Sequence, residues 1–460
     1  MHIQEKLIIK NFFSITKFEW DIKGFNVLTG GMASGKSLAL KLLYFCEQIF
    51  QYTVFDKFIN RELFQKEFFF KKISEEFNKL FVSRNPVSDY INTEIIYSYE
   101  YNMQSEQLLL DEGTSITEQP EFDMSNTTVF DLTASWDKTV KQLQWASKYI
   151  ESKLETWQTF FDEQNTPELI ERVRNRVFES IVSDFSNSFP LSAMFIPASR
   201  AIAAITSNIK SRDPFINEFI DLREFALSFD NIFGISSNIV NKILQVDNIS
   251  IDNEKDKQPV FKLINGRSIS SLELSSGQQE LLYLLLLIND LKRTEFIYGY
   301  NASIFIEEPS AHLFPKEQKE TLEFLVVIFN ELQKKRGQNP GHRFFISTHS
   351  PYVLNTINNL LEKERLLKNV KKINDSITKK TIINEIETLS FPCLSIDNIS
   401  AYMIEEDGYI KSMINNDDDE PYIYSEVIDR ISNVITEGTE KLFSVNSQIE
   451  NAIRHNKEVK

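Results

Sequence analysis

Residues 25–44 read Phe-Asn-Val-Leu-Thr-Gly-Gly-Met-Ala-Ser-Gly-Lys-Ser-Leu-Ala-Leu-Lys-Leu-Leu-Tyr. The inner eight, Gly30, Gly31, Met32, Ala33, Ser34, Gly35, Lys36 and Ser37, have the spacing G-x-x-x-x-G-K-[ST]. Before them runs a short β-prone stretch, Phe25–Thr29. After them comes a helix former, Leu38–Tyr44. Strand, glycine turn and helix start surround one point with backbone N–H groups and the positive end of a helix dipole. Such a point binds an anion. Lys36 adds a point charge suited to the β- and γ-phosphates of a nucleotide, and the Ser37 hydroxyl is a ligand for Mg²⁺. A plain glycine-rich helix cap would leave Lys36 unexplained.

The bulk of the chain bounds the reading. Its 460 residues suggest about three domain-sized units. With 42% hydrophobic and 25% charged residues it is an ordinary globular chain. Phenylalanine is abundant (37) and glycine scarce (13), which excludes a loop-rich or fibrous protein. A net charge of −16 argues against nucleic-acid binding through an overall basic field, although a local basic groove remains allowed. Cys46 and Cys393 both sit among apolar residues and read as buried thiols of a reducing compartment, and no His/Cys cluster suggests zinc. The N-terminus lacks a basic-then-apolar leader, and the longest apolar run, Leu281–Ile288, is too short to span a bilayer. The expectation is a cytoplasmic protein without a membrane partner.

Along the chain, residues 1–50 alternate like strands before entering the helix after the glycine loop. Residues 51–90 carry Phe64, Phe68, Phe69, Ile73, Phe77 and Leu80 at helical spacing, and 93–101 alternate like a strand. Residues 112–128 read as loop. Residues 137–185 hold amphipathic helix patterns broken near Asn165-Thr166-Pro167, which suggests a protruding hairpin. Ala193–Ile196 reads as a buried strand, 212–245 as helix, and two strand-like runs flank 250–265. A further core block covers 268–360, and Ile399–Ile404 reads as a strand in the tail. Helical pattern returns after the acidic run Asp417–Glu420. The seven Lys/Arg of 363–380 read as a solvated helix face in preference to a nucleic-acid or partner surface.

Three more blocks carry chemistry. Ser303-Ile304-Phe305-Ile306-Glu307-Glu308 is a short strand ending in two acids. Glu307 is placed to hold Mg²⁺, and Glu308 to orient and deprotonate an attacking water. Adjacent side chains alternate along a strand, so the two roles require the strand to end there. Leu274-Ser275-Ser276-Gly277-Gln278 precedes a leucine-rich helix and presents a hydroxyl and N–H groups at its start. Phe344-Phe345-Ile346-Ser347-Thr348-His349 is a buried strand with a histidine at its end, a candidate for contacting a γ-phosphate.

In their order and mutual context these four blocks resemble ABC-type ATPases, and more narrowly the soluble branch that includes SMC-type proteins and the OLD (overcoming lysogenization defect) family. The resemblance covers residues 1–50 and 190–360. It identifies Gly30–Ser37 as Walker A, Leu274–Gln278 as the signature motif, Ile304–Glu308 as Walker B and His349 as the switch histidine. Phe195–Arg200 and Glu308–Pro315 are similar to elements of the same branch, with Ser310 where a second glutamate is usual. The resemblance implies an α/β fold: an ABC-type P-loop ATPase head with a mixed central sheet and an inserted helical lobe. The core is expected in 1–50 and 190–365, a mainly helical lobe in 51–189, and an α/β extension in 366–460.

Two departures stand out. The Mg²⁺ acid is usually Asp and here is Glu307. One extra methylene moves the carboxylate by about 1 Å, a misplacement that can cost about 10²-fold in rate, so slow turnover is expected. No glutamine loop is visible. The resemblance also implies ATP and Mg²⁺ as cofactors, and Ser275, Ser276, Gly277 and Gln278 of one subunit capping the ATP of another across a homodimer. An OLD-type nuclease would need acids that the tail does not offer. The chain therefore resembles stand-alone ATPases of bacterial anti-phage systems, such as the Septu, retron-associated and PARIS types, which control a separate nuclease or toxin. An SMC-like ATPase acting on DNA is the alternative. A transporter subunit is disfavoured.

Overall fold

A computed structural model describes residues 2–54, 60–82, 91–102, 127–140, 142–161, 167–185, 188–190, 192–198, 246–252, 258–263, 265–270, parts of 273–288, 301–334, 342–371, 376–415 and 422–423. The readings placed on 212–245, on most of 112–128, on Asp417–Glu420 and on the tail after them apart from 422–423 lie outside the described residues.

Two sheets carry the molecule. In the central one, β3 (Phe25–Gly30), β7 (Ser192–Ile196), β11 (Ala302–Glu307), β12 (Arg343–Ser347) and β13 (Ile399–Ile404) are parallel, in the order β13-β3-β12-β11-β7. A short antiparallel strand, β14 (Ile410–Ser412), closes the β13 edge and makes the sheet mixed. β11 and β12 are buried at every position, as expected of strands covered on both faces. Phenylalanines knit them together. Phe305 stacks on its register partner Phe345 at 4.4 Å between ring centroids and on Phe195 at 6.1 Å. On the opposite face Phe344 packs with Phe25 and with Phe329 of α6 (Pro315–Lys334).

The second sheet is antiparallel, in the order β2-β1-β4-β5-β6: β1 is His2–Phe12, β2 Ile15–Ile22, β4 Glu94–Asn102, β5 Thr127–Asp137 and β6 Gln142–Ala146. Helix α1 (Lys36–Glu47) runs between the two sheets, with Tyr44 against Phe195 and Phe305, and Phe45 against Phe77 and Trp145. A three-stranded sheet, β8 (Val246–Asp252), β9 (Gln258–Leu263) and β10 (Ser268–Ser270), forms the remaining described β structure.

Residues 51–189, expected as a mainly helical lobe, carry strands as well as helices. Their helices α2 (Ile49–Thr53), α3 (Lys66–Phe77), α4 (Lys148–Gln158) and α5 (Pro167–Asp184) are joined by β4, β5 and β6, which extend the β1–β2 sheet. The α4–α5 pair does not protrude. Ser147 and Asp131 accept hydrogen bonds from the first N–H groups of α4, and Tyr149, Leu154, Trp157, Val173, Val177 and Ile181 are buried in the shared core. Of the helical run in 51–90, Phe64, Phe69, Ile73 and Phe77 are buried, whereas Phe68 faces solvent. In the expected 366–460 extension, β13 joins the parallel sheet as its outermost parallel strand, against β3, with Ile399 opposite Phe25 and Ile404 opposite Gly30. Neither thiol is disulfide-bonded. Cys46 is buried as expected, but Cys393 is only half-buried.

An ionic knot ties the layers together at the strand starts. Arg343 of β12 pairs with Glu5 of β1, reaches Glu47 of α1 at 3.1 Å, and donates to Ser303 of β11 at 2.7 Å. Tyr97 of β4 donates to Glu5 at 2.8 Å. Burial pushes the Glu47 carboxyl well above the usual carboxylate range. Removing one member of such a cluster strands a buried charge. Arg343→Ala is expected to lower the unfolding free energy by about 3–5 kcal/mol in urea melts, and a loss under about 1 kcal/mol would show that the knot holds nothing.

Candidate functional site

Parallel strands share a direction, so their C-terminal ends share an edge. β3 ends at Gly30, β7 at Ile196, β11 at Glu307 and β12 at Ser347, and three of the four motif blocks meet there. The ladder runs on past the strands, with Glu308 N–H donating to Ser347 O and Thr348 N–H to Leu28 O.

The glycine loop has the shape that its sequence predicts. Gly30 and Gly35 adopt φ of +144° and +105°, which side-chain-bearing residues rarely take, and Ala33 is also left-handed. A Cβ on Gly30 would collide with Ile404 O and Ser34 Oγ. Gly35 is the N-cap of α1, and no side chain caps the helix. Its first N–H groups therefore keep their bonding capacity for an anion. Ser34 Oγ is buried with no hydrogen-bond partner among the described residues. Ser37 is exposed on the first helical turn, and Met32 projects at the loop tip. Lys36 turns its ammonium onto the loop itself and donates to Gly30 O at 3.0 Å and Gly31 O at 2.7 Å. Burial pulls this ammonium below the ordinary lysine range while the Glu308 carboxylate pushes back. These features fit a phosphate group and an Mg²⁺ ligand at Ser37.

The two acids point to different places. Glu307, the last residue of β11, is buried, and Ala198 N–H donates to its Oε2 at 3.1 Å. Lys41 of α1 stands 4.0 Å from Oε1. Glu308 then adopts φ of +45°, so its carboxylate swings out of the strand alternation toward the edge. There His349 Nε2 lies 3.0 Å from Glu308 Oε1, and His349 N–H approaches Oε2 at 3.4 Å. Burial, and then the Lys36 charge, hold the His349 ring below the usual histidine range, against the pull of the Gly30 backbone. The ring thus sits within hydrogen-bond reach of the carboxylate at one end and of the Gly30 backbone at the other. Ser350 and Pro351 start α7 (Pro351–Val370) directly behind it and fix its place.

The fourth block stands differently. Ser275 and Gln278 form a capping box: Gln278 Oε1 accepts from Ser275 N–H and Oγ–H, and Ser275 Oγ accepts from Gln278 N–H. Ser275 is exposed. Gly277 is buried where a Cβ would meet His312 O at 2.8 Å, so the helix start leans on the turn that leaves Glu308. The hydrogen bonds described for Ser275 and Gln278 run within the cap and not to the glycine loop. Ser276 lies outside the described residues. Sequence reasoning missed Lys41 and the backbone donor Ala198.

Comparison with known proteins adds a family. The family model described as an AAA ATPase domain matches residues 1–354. No curated protein matches the chain. Among solved structures, the SMC head domain from Thermotoga maritima aligns over 77% of this chain and 92% of that one, at 11% identity and a TM-score of 0.34. Among the described residues no helix is long and apolar enough to cross a membrane.

The His349 ring offers a direct check. Its NMR titration midpoint is expected below 6.5 and should rise in Lys36→Ala, because loss of a positive neighbour favours the imidazolium. A midpoint unmoved by that change would separate the two side chains.

Proposed function

We propose that this chain, which belongs to the AAA ATPase domain family, binds ATP at the Gly30–Ser37 loop and hydrolyses it. One observation carries the reading: the Lys36 ammonium, the Glu307–Glu308 pair and His349 share one edge of one parallel sheet. The groups divide the work. Gly30–Gly35 and the uncapped start of α1 hold the phosphates through backbone N–H groups. Lys36 transfers its hydrogen bonds from the loop carbonyls to phosphate oxygens. Ser37 and Glu307 would hold Mg²⁺, which when bound neutralises phosphate charge. Glu308 Oε1, oriented by His349 Nε2, accepts the proton of the attacking water.

The chain carries one set of motifs. Ser275 is exposed and capped, and the apolar side chains of Met32 and Phe314 are also exposed, at 90% and 80%. These features support a homodimer in which the signature of one subunit closes over the nucleotide of the other. Only a γ-phosphate reaches both halves, so hydrolysis opens the dimer. By resemblance to stand-alone ATPases, the dimer works in the cytoplasm as a nucleotide-gated sensor and scaffold that controls a separately encoded nuclease or toxin in anti-phage defence.

The DNA-acting alternative is weaker. Within the basic run 363–380, Lys363 donates to the carbonyls of Leu389 and Phe391, Lys368 pairs with Asp397, and Arg365 pairs with Glu362. Lys363 and Lys368 thus fasten the segment 389–397, while the Arg365 pair stays within α7. Co-purification separates the readings: a stoichiometric effector supports the first, salt-sensitive DNA binding the second.

Three substitutions test the assignments. Glu308→Gln should lower turnover by about 10²-fold or more and accumulate an ATP-bound dimer in size-exclusion runs; unchanged turnover would remove Glu308 from catalysis. Lys36→Ala should weaken ATP binding in calorimetry, and wild-type affinity would defeat the phosphate-loop assignment. Ser275→Arg should block dimer formation and turnover while leaving monomeric ATP binding intact, and normal turnover would exclude a shared site.

A further inference from the structure

We propose that the turn 405–409, far beyond the four motif blocks, positions the phosphate loop, with Gly408 and Thr16 as its positioning residues. This inference rests on the nucleotide reading of Gly30–Ser37.

The loop is gripped at both ends. At its start Gly30 pairs with Ile404, the last residue of β13, so closely that a Cβ on Gly30 would lie 2.4 Å from Ile404 O. At its end Gly35 abuts the β1–β2 turn, where a Cβ would lie 2.9 Å from both Ile15 Cγ1 and Ser14 Oγ. Opposite ends of the chain supply the two grips, and the 405–409 turn fastens them together. Gly408 O accepts from Thr16 N–H at 2.9 Å and from Lys17 N–H at 3.3 Å, and Thr16 Oγ1–H donates to Asp407 O at 2.7 Å. Gly408 N–H to Glu405 O and Glu405 N–H to Tyr409 O close the turn on itself.

Gly408 is the point of closest approach. Its φ is +81°, and a Cβ there would stand 2.4 Å from Ser14 O and 2.7 Å from both Thr16 N and Thr16 Oγ1. Any side chain at 408 must drive the β1–β2 turn and the β13 end apart, which changes the width of the bracket around the phosphates. Glu308 and His349 hang on β11 and β12, and the hydrogen bonds of the 405–409 turn do not reach them. The effect should therefore fall on nucleotide affinity rather than on the chemical step. The family match stops at residue 354, so this part of the site lies in a segment that the shared domain does not include.

The test is ATP binding and steady-state turnover of the full chain carrying Gly408→Ala. The expected result is a rise in Kd and KM of about tenfold, with kcat at saturating ATP within about twofold of wild type. Gly266→Ala is the control: φ there is +82° and a Cβ meets nothing within 4 Å, so the backbone cost is alike but no bracket is touched. It should bind ATP like wild type. A folded Gly408→Ala with wild-type Kd, or a Gly266→Ala that loses as much, overturns the inference. Should Gly408→Ala fail to fold, Thr16→Val removes only the hydroxyl donation. It should raise Kd by about twofold to fivefold with the thermal midpoint unchanged, and Thr16→Ser should restore affinity. Wild-type Kd in Thr16→Val would likewise overturn it. Lys36→Ala separates the two levels. If it binds ATP normally, the nucleotide reading itself falls; if it loses binding while the Gly408 and Thr16 variants do not, only the bracket falls.

Discussion

The parallel register of β11 on β12 and of β12 on β3 is the constraint from which the site follows. Phe305 sits opposite Phe345, so Glu307 sits opposite Ser347, and the next residues outward are Glu308 and Thr348-His349. β3 is paired so that Leu28 faces Ser347, and the glycine loop opens at the same level. A slip of one residue in either pairing would send Glu307 to the other face of the sheet and part Glu308 from His349. The stacked phenylalanines of β7, β11 and β12 lock that register from the interior side. At the other end of the strands, Arg343 links β12 to β1, β11 and α1. Registration is thus fixed at two levels of the same strands, by aromatic stacking in the middle and by a buried ionic knot at the start.

Where the chemistry depends on neighbours in sequence, it was legible. The loop needs its glycines, lysine and serine within eight residues, and each is found where the spacing put it. The requirement that β11 end between Glu307 and Glu308 was also readable, because alternation forbids two adjacent inward acids; the left-handed φ of Glu308 is how the backbone meets it. What stayed hidden depends on partners remote in sequence. Nothing local in Ile399–Ile404 says that it joins the sheet beside Phe25, because a short apolar strand fits any buried slot. The same limit applies to β4, β5 and β6. Alternation marked Thr93–Tyr101 as a strand, but not that its partner would be β1 on one side and β5 on the other. An inserted lobe was the natural reading of a long gap between motifs. The structure spends that length on widening an existing sheet and on covering it with α4 and α5.

Glu307 shows how a departure from a family pattern is absorbed. A glutamate in place of aspartate carries its carboxylate farther from the strand, and in an open site that would blur its position. Here the side chain is buried and held from two sides, by the Ala198 N–H beyond β7 and by the Lys41 ammonium on α1. Both come from elements that the sheet already fixes. The extra methylene therefore buys reach across to β7 rather than freedom. The Lys41 charge has a second consequence. A cation this close offsets part of the carboxylate's charge, so the field at Glu307 is weaker than that of an unpaired acid.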